Sequence, residues 1–292
     1  YMSFIFLLVR MILIRSMSIR PNYVIGLYLL FPFIMDITQI RMFYATTIVL
    51  LGIFVLMKNY RYSNIFFVII IIIASMMHSA CIIYLLVLVA KNVKEFNTKK
   101  YLKTCIFGCV ILYIMLPTGV LYNVLTVISG AFGFGRKFIE TVFVTSQAYK
   151  ITYKITYMVE ILLFFCLMNS IFKRIMKNNS ISYIEKTKDN KKVSNLEFTQ
   201  FCAKVNDSLL IVLPLAWFSG DIYRVQHGMT ILFYIAFSNF EGFRSSNRGK
   251  IKLNQVLVTG FVIIFMLLFL LGISSLRETV FIPVFFENGL IG

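Results

Sequence analysis

The chain alternates apolar runs with short polar punctuation. A run near 20 residues is long enough to cross the hydrocarbon core as a helix, and shorter ones read as tilted, partial or re-entrant pieces. The runs cover residues 4–14, 23–34, 40–57, 65–90, 102–127, 155–172, 209–218, 226–240 and 256–273. They predict an all-α polytopic integral membrane protein of about eight to ten segments, forming a single transmembrane domain over residues 1–292. No internal repeat interrupts this reading. The chain opens on Tyr1 rather than Met, so a missing N-terminal part is expected.

Polar punctuation sets the orientation. The loop over residues 173–204 carries Lys173, Arg174, Lys177, Lys186, Lys188, Lys191, Lys192 and Lys204. Taken as cytoplasmic, it also places Arg244–Lys252, Lys91–Lys103, Lys58 with Arg61, and Arg15 with Arg20 inside by alternation. Of the 29 basic residues, only Arg41, Arg136, Lys137, Lys150, Lys154, Arg224 and Arg277 then lie outside, with Arg10 embedded in an apolar run. Basic loops precede and follow residues 65–90, so that run must go out and come back. Two half-helices of about 13 residues span roughly 20 Å each, with the reversal near Met77-His78-Ser79-Ala80. The competing reading is one long tilted helix.

Composition agrees. The chain is 59% hydrophobic and 14% charged, whereas soluble domains carry about 25% charged residues. The net charge of +17 sits in short loops between spans, which is the pattern of membrane topology and not of a nucleic-acid face. The five cysteines lie in or beside apolar segments without disulfide spacing. Cys105 and Cys109 share a helix face but have no His or carboxylate with them, so they read as packing residues. No His-x-x-x-His, paired Cys with His, or Asp-x-Asp occurs, so no metal site or other cofactor is expected.

Candidate chemistry comes from polar residues that the hydrocarbon would expel. A charge at bilayer depth costs roughly 2.5–3.5 kcal/mol on insertion scales, so such residues usually persist for a use. Asp36, Arg41, His78, Asp221, Arg224 and His227 all fall on the outer side of the predicted topology, which argues for a shared outward-facing cavity. Arg41 and Arg224 offer planar donor forks that match a diphosphate; snorkelling to headgroups is the bland alternative. Asp36 and Asp221 either neutralise those arginines or act as bases. His78 is the leading base or orienting group, with Ser79 beside it. His227 shares a helix face with Arg224. Glu160, within a span, reads as paired with a Tyr or with Lys154 near the interface. Gly130-Ala131-Phe132-Gly133-Phe134-Gly135-Arg136-Lys137 lacks the strand context of a nucleotide loop. It reads as part of an outer loop, residues 131–154, leading into an amphipathic stretch over residues 138–154 that lines the entry to the site.

The segment Asp36-Ile-Thr-Gln39-Ile-Arg41-Met-Phe-Tyr-Ala45, followed by a span, a basic loop and Met77-His78-Ser79-Ala80, resembles the EpsG family of bacterial exopolysaccharide and capsule polymerases, functionally of the Wzy type. Asp221-Ile-Tyr223-Arg224 before an apolar run, and the late Phe281-Ile-Pro283-Val-Phe-Phe, are similar to that family too. The pattern is loose between residues 91 and 201, and the Tyr-rich N-terminal spans of such proteins are not in this chain. The resemblance implies a multi-pass protein of the bacterial plasma (inner) membrane. It would join undecaprenyl-diphosphate-linked oligosaccharide repeats on the outer leaflet by glycosyl transfer, with other capsule or exopolysaccharide assembly proteins as partners. It also implies substrate-binding roles for Arg41, Arg224, Tyr223, His227, Gln39 and Ser79, and catalytic ones for His78, Arg41, Arg224, Asp36 and Asp221. Tyr44, Tyr223 and Trp217 are candidates to stack on sugar rings. The rival readings are a flippase or transporter of lipid-linked oligosaccharide, a sugar O-acyltransferase, and a non-enzymatic scaffold of a capsule assembly complex.

Overall fold

The computed structural model describes residues 1–93, 97–115, 151–179, 195–217 and 222–241, with short pieces at 122–123, 126–127, 256, 258–264 and 266–267. Among these residues the chain is all-α, without strands. Apolar runs, rich in β-branched Ile and Val on α4 and α5, form α1 (Met2–Met17), α2 (Pro21–Leu30), α3 (Phe33–Thr38), α4 (Ile40–Met57) and α5 (Ser63–Met77). Pro21 opens α2, where its missing N–H costs nothing. Pro32 separates α2 from α3 and so splits the run expected over 23–34. Asn59, at φ 52°, turns the chain between α4 and α5, a left-handed conformation that Asn tolerates.

After α5 the helix breaks at His78, whose φ of −147° is extended. A 3₁₀ segment, Ser79–Leu85, then runs into α6, Leu86–Asn92. The two halves fold back on each other. Lys91 Nζ donates to Asn64 Oδ1 at 3.1 Å, to Asn59 Oδ1 at 3.3 Å and to Leu56 O at 3.4 Å. The end of α6 therefore lies beside the start of α5 and the end of α4. This is the reversal expected at residues 77–80, in place of a single long helix.

Next come α7 (Thr98–Met115), α8 (Ile151–Asn179), α9 (Asn195–Ser208), a 3₁₀ turn (Leu209–Ile211), α10 (Val212–Leu215), α11 (Tyr223–Gly228) and α12 (Thr230–Glu241). Helix continues into both ends of the basic stretch 173–204, as far as Asn179 and again from Asn195. The 209–218 run is not one helix but a 3₁₀ turn and a short helix around Pro214. Most of 131–154, including the glycine-rich segment, lies outside the described residues, as does most of 256–273.

Side-chain bonds fix the helix directions. Ser3 Oγ lies 2.7 Å from Tyr44 Oη, and Arg10 Nε donates to Thr47 Oγ1 at 2.9 Å. Hence α1 runs parallel to α4, and Arg15 and Arg20 fall at the same end as Lys58 and Arg61. Asn239, near the end of α12, accepts from Ile19 N and donates to Met17 O, both at 2.8 Å. Lys204 Nζ donates to Val93 O at 2.8 Å, just past Lys91. These basic segments are therefore gathered at one end of the bundle, and Asp36, Gln39 and Arg41 lie at the other.

Among the described residues, two helices are long and apolar enough to cross a membrane by length and composition, over Ile40–Met57 and Lys154–Lys173. Shorter apolar helices cover Pro21–Leu30, Ser63–Met77 and Ser79–Asn92. On α5, Phe67, Ile71 and Ala74 are fully buried, while Ile65, Ile69, Ile72 and Met76 are exposed. That helix is apolar on both its packed and its outward face, unlike the amphipathic pattern of a helix facing water.

Candidate functional site

Arg10 is the least expected resident of the core. It interrupts the apolar face of α1 and is 2% exposed. A guanidinium carries five N–H donors, and each finds an acceptor here. Nε donates to Thr47 Oγ1 at 2.9 Å. Nη1 donates to Tyr28 Oη at 3.3 Å and forms a short charge-assisted bond to Asp36 Oδ2. Nη2 donates to Phe43 O at 2.9 Å and to Thr46 Oγ1 at 2.7 Å. The threonines pass their own hydroxyl protons to α4 carbonyls: Thr47 to Phe43 O at 2.8 Å, Thr46 to Met42 O at 2.9 Å. Tyr28 Oη donates to Asp36 Oδ2 at 2.9 Å. The Phe43 ring lies 4.4 Å below the guanidinium. The result is a closed polar knot that joins α1, α2, α3 and α4 and neutralises both charges.

On the facing side, α11 contributes Tyr223, Arg224 and His227 within two turns. His227 is buried, with Nε2 3.1 Å from Glu160 Oε1 of α8. The imidazole is boxed by Phe31, Phe164 and Tyr223, with ring centroids 5.3, 5.3 and 5.4 Å away. Tyr223 stacks on Tyr157 at 4.7 Å, nearly parallel, and the Arg224 guanidinium lies 5.8 Å from the Tyr223 ring centre. The Glu160 carboxylate is placed to accept from His227 when the ring carries its proton on Nε2, which puts the lone pair on Nδ1.

The knot and the α11 residues meet across a narrow cleft. Its walls are Arg10, Asp36, Gln39 and Thr46 on one side and Arg224, His227 and Gly228 on the other, floored by Pro32, Met35, Met42 and Ile231. The open room is about 20 Å³, a little more than one water requires. Gly228 makes the close approach possible. A Cβ there would overlap the Tyr84 hydroxyl and lie 2.7 Å from Thr46 Cγ2. Tyr84 Oη in turn donates to Val225 O at 2.7 Å, tying the returning half of the hairpin to α11.

Of the residues singled out in the sequence, the cleft gathers Asp36, Gln39, Arg224 and His227. Tyr223 packs behind it. Arg41 is exposed and is not in the cleft lining. Gln39, immediately before α4, enters the cleft, whereas Arg41 emerges on another face of that helix. Asp36 pairs with Arg10 and not with Arg41. His78 forms the break after α5, with Ser79 exposed beside it, and neither lines the cleft. Asp221 lies outside the described residues. Glu160 pairs with His227, not with a tyrosine or Lys154; the Lys154 ammonium sits 5.7 Å from the Trp217 ring centre. Tyr44 packs on Phe6 at 4.5 Å and Trp217 on Tyr113 at 5.4 Å. Among the described residues no cluster of three or more His, Cys, Asp or Glu could hold a metal.

Sequence reasoning passed over Arg10 and the Glu160 partnership. The signal for Arg10 was present, since a lone arginine in an apolar run is expensive unless paired. Its partners lie 18 to 37 residues away, beyond any local pattern. Comparison with protein-family models, with curated proteins and with solved structures finds no match to this chain.

Proposed function

We propose that this chain is a multi-pass bacterial plasma-membrane glycosyltransferase that polymerises undecaprenyl-diphosphate-linked oligosaccharide repeats at the outer leaflet. The observation that carries the reading is the convergence of Arg224 and the His227–Glu160 pair on the cleft walled by Asp36 and Gln39. Its membrane setting is supported by the two span-length helices and by apolar outward faces on α5 and its neighbours. The resemblance of Asp36–Ala45 and Asp221–Arg224 to EpsG-type polymerases supplies the reaction.

In this reading the acceptor sugar hydroxyl gives its proton to the His227 imidazole as its oxygen bonds to the anomeric carbon of the growing chain. The bond from that carbon to the lipid diphosphate breaks, and its electron pair leaves with the diphosphate. Arg224 stabilises the charge that develops there. Glu160 holds His227 in the basic tautomer and stabilises its protonated form. The Arg10–Asp36 knot is a rigid wall, because every guanidinium donor is already committed. The base is thus His227, since His78 stands outside the cleft lining. The cleft is closed down to about one water, so the headgroup enters as the Gln39 and Arg224 side chains swing aside.

Reconstituted full chain, supplied with lipid-linked repeats, tests this. Arg224→Ala and His227→Ala should each lower polymer formation about 100-fold or more while the protein stays folded in detergent. Glu160→Gln should cost less. Polymer of normal length and rate from both alanine variants would overturn the assignment.

A further inference from the structure

The short helix α3 is a partition. Its Met35 and Asp36, with Gln39 just after it, face the polar cleft. Phe33, Ile37 and then Ile40 face the opposite way, into a second cavity of about 240 Å³. That cavity is otherwise lined by Ser3, Phe4 and Leu7 of α1 and Phe43 of α4, so it is almost wholly apolar. Asp36 alone belongs to both cavities. A spacing of four residues puts Phe33 and Ile37 on one helix face, and their neighbours Pro32 and Asp36 reach the other chamber. The outcome is a charged, hydrogen-bonding compartment that adjoins a hydrocarbon-lined groove at one shared carboxylate.

We infer that the groove between α1, α3 and α4 holds the first part of the hydrocarbon chain of an amphiphile whose charged head sits in the Asp36–Arg224–His227 cleft. This rests on the functional reading above and adds to it a tail path. The shared wall at Asp36 decides between occupants. A free sugar or free phosphate would satisfy the cleft but leave the groove unused, and a bulk lipid would satisfy the groove with no call on the cleft. A single molecule with an anionic head and an apolar chain uses both. Phe33, Ile37 and Phe43 then act as guides that set how far the head reaches past Asp36, and Phe43 links the two because it also floors the Arg10 guanidinium.

The test uses the full chain in nanodiscs and a polyprenyl diphosphate carrying a diazirine on an isoprene unit near the head. Photolysis should label peptides containing Phe4–Leu7 and Ile37–Ile40, and excess unlabelled polyprenyl diphosphate should compete the label away. Ile37→Trp, which fills the groove without touching the cleft, should lower that label by about tenfold, one indole's worth of lost room. Competed label that maps instead to α5 or α8, or label unchanged by Ile37→Trp, overturns the tail path and leaves the headgroup reading standing. Label that polyprenyl diphosphate does not compete at all defeats the headgroup reading and the tail path together.

Discussion

At the scale of single residues, the Arg10 knot carries the largest energetic consequence. A buried ion pair adds little over an apolar pair of equal volume, but removing one partner strands the other charge and costs about 3–5 kcal/mol. Asp36→Ala strands Arg10, and Arg10→Ala strands Asp36. Both should sharply reduce the yield of folded protein and its melting temperature in detergent, measured by a thermal-shift assay. Arg10→Lys should not rescue, because an ammonium offers three donors where five acceptors wait. A melting temperature within a degree or two of wild type for Arg10→Lys would mean that charge alone, not the donor fork, holds these helices. The contrast with Arg224 is chemical. Arg10 bonds Asp36, Tyr28, Phe43, Thr46 and Thr47 from within the core, while Arg224 stands half-buried in the opposite wall of the cleft beside the Tyr223 ring. Two arginines of like chemistry therefore take different places, one riveting four helices and one in the cleft wall, where the proposed function needs a cation.

At the scale of elements, the approach of α11 to α4 and to the returning half of the hairpin depends on Gly228. An added methyl meets Tyr84, itself bonded to Val225 O, and Thr46, itself bonded to Arg10. Neither neighbour can yield without breaking a buried hydrogen bond. Gly228→Ala should destabilise the protein by about 1–3 kcal/mol, the usual range for overpacking, and should lower activity more than Gly26→Ala, where nothing lies within 4 Å of the added carbon. Equal behaviour of the two variants in unfolding and turnover would show that α11 can part from Tyr84 and Thr46 without loss. The elements were also where the sequence was most legible. Basic loops on both sides of one apolar run favoured the reversal found at His78 over one long tilted helix, because charge alternation is a global constraint written in local residues. Arg224 and His227 were readable as neighbours because a spacing of three puts them on one helix face. Arg41 was misplaced because the Gln39–Arg41 spacing crosses the junction between α3 and α4, so the two side chains leave on different faces. The partners of Glu160 and Arg10 were illegible because they lie 67 and 26 residues away, and only packing brings such pairs together.

At the scale of the whole molecule, the two ends of the bundle and the surface between them differ in chemistry. The basic segments at Arg15–Arg20, Lys58–Arg61 and Lys91 share one end of the bundle through the Lys91, Lys204 and Asn239 bonds. The cleft residues Asp36 and Gln39 lie at the far end of α4 from Lys58. Between the two ends, α1, α5 and α7 present Phe4, Leu8, Ile69, Ile73, Phe107 and Ile114 outward, each at least 47% exposed. Apolar surface on that scale is unstable in water and belongs against hydrocarbon or a partner. If hydrocarbon surrounds it, the excess of Lys and Arg puts their end in the cytoplasm and the cleft towards the exterior. The prediction concerns sidedness. In a background with the 5 native cysteines replaced, Asn59→Cys and Lys100→Cys should react with a membrane-impermeant maleimide only after the membrane is opened. Thr38→Cys should react in intact spheroplasts. All three residues are exposed, so access and not burial decides the result. Asn59→Cys and Thr38→Cys labelling from the same side would break the link between the hairpin, the charge bias and an outward site. Labelling with the two sides exchanged would keep the helix arrangement but turn the cleft towards the cytoplasm, where lipid-linked repeats are not yet presented to an outer-leaflet polymerase.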